Sequence, residues 1–128
     1  LLRNKSLNFI CKDVNLKVAN GDSIFTSEYY ENEILKIPIA HAEGNFYLNK
    51  SEIVDVKKFN QIIFQYTSPV GLIDKDSNPN GSILNIAGIR NKKGNVLGLM
   101  PHPERVSENL LGGLDGKKIF QSIIKHLS

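Results

Sequence analysis

The sequence predicts an α/β domain that occupies residues 1–128 as one unit. Apolar segments of strand length recur along the chain, turn-forming residues separate them, and the last segment has the 3.6-residue apolar period of an amphipathic helix. A chain of 128 residues can bury roughly two-thirds of its unfolded surface. The domain can therefore hold a hydrophobic core.

The first third of the chain is predicted to form two strands joined by a loop. Residues 8–18 alternate apolar and polar side chains, and the alternation slips near Val14, which predicts a long strand with a bulge. Residues 19–33 contain Asn20-Gly21-Asp22 and predict a surface loop. The nearly continuous apolar run over residues 34–40 predicts a buried strand.

The middle of the chain is predicted to contain a helix, a strand and a loop. Ser51 is the expected N-cap of a short helix that ends near Phe59, because serine at that position accepts a backbone hydrogen bond of the first turn. Residues 62–66 predict a strand. Turn-forming residues accumulate over residues 74–82 and predict a loop.

The last third is predicted to contain a hairpin and a helix. Residues 86–90 and 96–100 are short apolar segments on either side of Lys92-Lys93-Gly94-Asn95, which is typical of a hairpin. Asp115 is the expected N-cap of the final helix. The apolar positions that define this helix are Ile119, Phe120, Ile123, Ile124 and Leu127.

Composition argues against several classes of protein. No apolar run approaches the roughly 20 residues of a membrane span, and the first residues lack the apolar stretch of a signal peptide, so we expect a cytoplasmic protein with no membrane partner. Three of the 16 basic residues are Arg and the Lys are scattered among acids, so the net charge of +3 does not predict nucleic-acid binding. The single cysteine, Cys11, rules out an internal disulfide framework.

Pro101-His102-Pro103-Glu104 predicts a catalytic base with a partner that orients it. The prolines favour extended backbone, in which side chains two residues apart point the same way. Glu104 can then accept a hydrogen bond from the His102 ring and stabilise its imidazolium form, leaving the other ring nitrogen to move protons for a nucleophile. The same pair also fits a purely structural role.

The nucleophile for such a base is not evident in the chain. Cys11 lies between Ile10 and Lys12 in a strand pattern, without the small residues that flank an activated nucleophile on a tight turn. We therefore expect Cys11 to be a small buried apolar residue. If the base is genuine, its nucleophile lies outside this chain.

A second His-x-Glu pair, His41-Ala42-Glu43, follows the predicted buried strand. Strand ends are where sites gather in α/β sheets, so His41 and Glu43 are candidates for the periphery of an active site. Together the two pairs offer four nitrogen or oxygen ligands for a metal ion. Neither pair has a recognised metal-ligand spacing, and we do not assign a metal site.

Several motifs in one order resemble a known family. They are Leu2-Arg3-Asn4-Lys5-Ser6, Ile37-Pro38-Ile39-Ala40-His41-Ala42-Glu43-Gly44-Asn45, Asn78-Pro79-Asn80-Gly81-Ser82, Ile86-Ala87-Gly88-Ile89, Gly98-Leu99-Met100-Pro101-His102-Pro103-Glu104-Arg105 and Gly113-Leu114-Asp115-Gly116. This set resembles the C-terminal part of the glutaminase subunits of phosphoribosylformylglycinamidine synthase. These subunits are class I glutamine amidotransferases of purine biosynthesis.

The resemblance implies a Cys-His-Glu triad in which His102 and Glu104 are the last two members. It also implies a flavodoxin-like α/β fold with mostly parallel strands, of which this chain supplies the C-terminal portion. The family's cysteine lies upstream of the Leu-Leu-Arg-Asn segment, so we expect the nucleophile half to be missing and the isolated chain to be inactive. Ala42 stands where the family usually has Gly.

The resemblance further implies partners for the chain. Glutamine would be the substrate, and ammonia would pass to a synthetase subunit, with a small accessory subunit also present. ATP and Mg²⁺ would belong to the synthetase, and we expect no cofactor in this chain. Two alternatives stay open: a non-catalytic module that binds the synthetase, and a metal-dependent hydrolase that uses both His-x-Glu pairs.

Overall fold

The computed structural model describes residues 2–3, 10–41, 43–79, 81–101 and 116–127. Within these ranges the strands are β1 (Leu2–Arg3), β2 (Ile10–Val18), β3 (Ile34–His41), β4 (Glu43–Asn45), β5 (Ile62–Thr67), β6 (Ile86–Arg90) and β7 (Leu97–Leu99). The helices are α1 (Lys50–Lys58) and α2 (Lys117–Leu127), with a 3₁₀ turn at Ile83–Asn85. The predicted strands, helices and hairpin are therefore confirmed within one or two residues at the ends that are described.

The described strands form two antiparallel sheets. One contains five strands in the order β3-β2-β5-β6-β7, and the other pairs β1 with β4. The mostly parallel arrangement expected of the whole fold is not found in this portion, where every described pairing is antiparallel. The physical reason is clearest at the β6–β7 hairpin, because a connection this short can join only antiparallel neighbours.

The long pairing of β2 with β3 is regular. Its register runs without a break from Ile10 opposite His41 to Lys17 opposite Ile34. The bulge predicted near Val14 is therefore wrong, because the ladder accommodates the change of apolar phase without an inserted residue.

The apolar side chains form clusters on both faces of the larger sheet. Ala87 belongs to the larger cluster, which includes Ile119 of α2, whereas Ile86 belongs to a cluster with Val56 of α1. Adjacent strand residues point to opposite faces, so the two helices cover opposite faces of the sheet. This arrangement confirms the α/β class.

The start of α1 differs from the prediction. Asn49, and not Ser51, is the N-cap: its side-chain oxygen accepts a hydrogen bond from the Glu52 backbone N–H at 2.9 Å. Asparagine and serine are similarly good caps, so the sequence left both open. Across the described ranges, neither helix is long and apolar enough to cross a membrane.

Candidate active site

The β6–β7 hairpin leads the chain to the candidate base. Gly88 lies opposite Leu99 in the register, and the Met100 backbone N–H continues the pairing by donating to the Ala87 carbonyl at 3.1 Å. Pro101 is buried directly after it. The position of His102 is thus set by a short paired strand and a buried proline, as the prediction of a strand end requires.

Close packing at Gly88 fixes β7 against its neighbours. A Cβ atom at this position would lie 2.9 Å from Leu99 Cδ1 and 3.0 Å from Phe64 Cδ2. Gly98, in the neighbouring strand, is different, since a Cβ there would meet nothing nearer than Ile89 at 3.8 Å. The absence of a side chain at Gly88 therefore lets β5, β6 and β7 approach closely.

The turn of the hairpin is fixed by one asparagine. The side-chain oxygen of Asn91 accepts hydrogen bonds from the backbone N–H groups of Asn95 and Val96, both at 3.0 Å, and Gly94 takes a positive φ of 76°. Arg90 ties the same hairpin to the rest of the fold by donating to the carbonyl of Asn60 at 3.2 Å. These bonds hold the base of the hairpin while its other end carries Pro101.

The two predicted catalytic side chains lie outside the described residues. Residues 102–115 include His102, Glu104 and the expected helix cap Asp115. Their roles stay predictions, and the structure contributes the position at which the chain reaches them.

An apolar cavity of about 220 Å³ borders the same segment. Its lining consists of Phe46, Ile86, Ala87, Gly88, Ile89, Gly98, Leu99 and Met100. None of these side chains is charged, so this cavity offers no partner for the α-amino and carboxylate groups of a bound glutamine. Those partners must come from elsewhere.

The other His-x-Glu pair spans the junction between the two sheets. His41 is the last residue of β3, opposite Ile10, and Glu43 is the first residue of β4, opposite Arg3. The backbone of this pair is therefore held by strands on both sides. The side chains of His41 and Glu43 lie outside what the structure describes.

The structure does not bring the two pairs together among its described residues. β3 and β7 are the opposite edges of the larger sheet, with three strands between them. Within the described residues, no group of three or more His, Cys, Asp or Glu side chains could hold a metal ion. A shared metal site stays a hypothesis, because His102 and Glu104 are not described.

Cys11 lies inside the regular β2–β3 ladder, opposite Ala40. This confirms that it belongs to a strand and not to a tight turn between a strand and a helix. Its backbone does not have the shape that exposes an activated nucleophile.

A polar network that the sequence analysis missed orders the loop before β6. The Asn85 side chain donates to the carbonyls of Tyr66 at 3.1 Å and Asp74 at 2.8 Å, and it accepts from the Asn78 side chain at 3.1 Å. Asn85 and the preceding Leu84 both take positive φ values, 55° and 53°. The network supplies the hydrogen bonds that hold this strained turn.

The network also reaches the segment that follows His41 and Glu43. Asn78 accepts hydrogen bonds from the backbone N–H groups of Gly81 at 2.9 Å and Ser82 at 3.2 Å. The Ser82 hydroxyl accepts from the Phe46 N–H at 3.0 Å. The chain directly after β4 is thereby fastened to this loop. The sequence signal was the Asn-Pro-Asn-Gly run followed by an asparagine just before a strand.

The fold and these motifs define the class of protein. The family model of the CobB/CobQ-like glutamine amidotransferase domain matches residues 1–118. The chain belongs to this family.

Particular relatives narrow the comparison. A protein from Chlorobaculum parvum, phosphoribosylformylglycinamidine synthase subunit PurQ, is 48% identical over 128 residues, which are 100% of this chain and 51% of that protein. A chain in the structure of PurLQS from Thermotoga maritima is 42% identical, with a TM-score of 0.81 over 100% of this chain and 52% of that one. The chain therefore spans about half the length of these relatives.

A more distant structure shares the fold alone. The glutaminase domain of Trypanosoma brucei CTPS, solved with bound acivicin, is 17% identical with a TM-score of 0.55, over 96% of this chain and 43% of that one. The class I amidotransferase fold predicted from the sequence is confirmed by these similarities.

Proposed function

We propose that this chain forms one half of the glutaminase component of phosphoribosylformylglycinamidine synthase. The observation that carries the proposal is the 48% identity to subunit PurQ over the whole of this chain. In that role the complete component hydrolyses glutamine and supplies ammonia for the conversion of formylglycinamide ribonucleotide to the amidine.

His102 and Glu104 are the proposed catalytic residues of this half. A cysteine thiolate from the other half attacks the side-chain amide of glutamine, and His102 protonates the departing ammonia. His102 then takes a proton from the water that hydrolyses the thioester, and Glu104 orients the ring throughout. The paired end of β7 and the buried Pro101 support this assignment because they fix where the segment leaves the sheet.

The partner of the complete component is a synthetase subunit, with a small accessory subunit also present. The name PurLQS of the Thermotoga maritima assembly supports this proposal. ATP and Mg²⁺ act in the synthetase, and no step assigned to this chain requires them.

A chimeric subunit tests the proposed function. The half of the Chlorobaculum parvum protein that lies outside the matched region is fused to this chain and combined with the synthetase partners of that organism. We expect amidine formation that depends on glutamine, and none from the 128-residue chain alone. A chimera that folds and binds the synthetase but makes amidine only from ammonium salt would instead support the non-catalytic interaction module.

A further inference from the structure

Helix α2 has apolar side chains on two sides, and only one side is covered. Ile119 is 2% exposed and packs into the larger core cluster, with Ile123 half-buried beside it. Phe120, Ile124 and Leu127 are 39%, 63% and 79% exposed. An isolated surface helix is normally polar on the side away from the core, whereas a helix that is apolar on both sides is normally buried.

The three exposed side chains form one continuous stripe. Residues of an α-helix are about 100° apart around the axis, so Phe120, Ile124 and Leu127 fall within an arc of about 60°. This arc is next to the position of Ile123. The apolar surface therefore continues from the covered side of the helix to the uncovered one without a polar residue between them.

The other flank of α2 is already occupied. The Ser122 hydroxyl accepts a hydrogen bond from the Glu28 N–H at 3.0 Å, and Lys118 Nζ lies 3.2 Å from Glu33 Oε2. These contacts attach the helix to the loop of residues 19–33. The uncovered stripe faces away from this loop.

The sheet is also open on this side of the molecule. β7 is the last strand in the sheet order and pairs only with β6 among the described residues. Its half-buried Leu97 and Leu99 pack against the same cluster as Ile123. An unpaired strand edge invites a further strand, so an added layer at this edge can pair with β7 and cover α2 together.

We propose that the outer stripe of α2, formed by Phe120, Ile124 and Leu127, and the free edge of β7 are the surface on which the other half of the amidotransferase domain packs. The length of the relatives identifies this occupant: the match covers all of this chain but 51% of the Chlorobaculum parvum protein. About half of that protein therefore has no counterpart here. The inference rests on the proposed function only for the identity of that half.

Co-expression of the two halves tests this surface. This chain carries an affinity tag, and the unmatched half of the Chlorobaculum parvum protein is made in the same cell, so that neither half has to fold alone. We expect the halves to purify as a 1:1 complex. Ile124→Glu should weaken the complex by roughly 100-fold or more, because it places an unpaired carboxylate in an apolar interface.

Gln121→Glu is the matched control, since it adds the same charge at an exposed position on the same helix but outside the stripe. We expect its affinity to stay within about threefold of the unsubstituted chain. Circular dichroism and thermal melting of each variant, measured without the other half, show that the chain still folds. Equal weakening by both substitutions, or by neither, overturns the proposal.

The test also separates this inference from the proposed function. Sedimentation of this chain alone shows whether a second copy covers the stripe: a dimer that Ile124→Glu converts to a monomer overturns the assigned occupant. Failure of the two halves to associate overturns it as well. Binding is measured without glutamine or synthetase, so an inactive chimera with an intact, Ile124-dependent complex would reject the proposed function and leave this surface in place.

Discussion

His41 and His102 each follow a strand of the same sheet, but the chain holds the two segments in different ways. His41 ends a strand of eight residues, and the next described residue, Glu43, already pairs with β1. His102 follows a three-residue strand and a buried proline. One segment is part of the framework, whereas the other extends from it into a loop.

This difference indicates where chemistry belongs. Reacting groups are usually carried by loops that a rigid scaffold positions, because such segments can approach a substrate without breaking strand pairing. The His102 segment fits that description and the His41 segment does not. The two His-x-Glu pairs look alike in sequence, and their backbone settings separate them.

The largest expected effect is at His102. In the complete subunit with its synthetase partners, His102→Ala should lower glutamine-dependent amidine formation by about 10⁴-fold, because neither thioester formation nor its hydrolysis has a proton carrier. Synthesis from ammonium salt should be unchanged, since free ammonia bypasses the glutaminase site. Parallel loss of both activities would point to damaged folding or assembly and would remove the support for a catalytic His102.

A smaller loss is expected at Glu104. Glu104→Gln should reduce the same glutamine-dependent rate by about 10²-fold, since an amide can still hold the ring but stabilises the imidazolium less well. Steady-state rates with glutamine and with ammonium salt measure the effect. If Glu104→Gln were as active as the unsubstituted enzyme, the proposed orienting role would be wrong.

The framework under His102 can be weakened by one methyl group. Gly88→Ala should destabilise the 128-residue chain by about 2 kcal/mol, because the new Cβ overlaps Leu99 and Phe64. Gly98→Ala is the control and should change stability by less than about 0.5 kcal/mol, since its Cβ meets only ordinary contacts. Urea denaturation measures both variants, and equal effects would mean that the close approach at Gly88 is unimportant.

The smallest effect on activity is expected at His41. In the complete subunit, His41→Asn should lower glutamine-dependent kcat/KM by less than about tenfold, as befits a framework residue that does not move protons. A loss as large as that of His102→Ala, together with stoichiometric bound zinc in the unsubstituted protein, would make the two pairs equivalent. That result would favour the metal-dependent hydrolase.

Local patterns predicted most of the elements, because strand alternation and helix period depend on residues close in sequence. They did not predict which partners the elements meet. The five apolar positions of α2 were assigned to one helix, yet only Ile119 is fully buried, since burial depends on what covers the helix. The network around Asn85 was missed because its hydrogen bonds reach Tyr66 and Asp74, 19 and 11 residues away.

The candidate site was predictable from sequence to a similar extent. The proline spacing and the family motifs both selected His102 and Glu104. The sequence placed His41 and His102 in one sheet, but it contained no signal for the strand order that separates β3 from β7. That order depends on long-range pairing, which local periodicity does not encode.

The strand order also has a consequence for how the chain folds. β2 pairs with β3, β5 with β6 and β6 with β7, so each of these pairings joins described strands that are consecutive in the larger sheet, whereas the pairing of β2 with β5 spans the rest. Local pairings close short loops and form early, while distant ones form slowly. We expect two small ladders to form first as the chain leaves the ribosome, and the sheet to become continuous only when residues 62–67 reach β2.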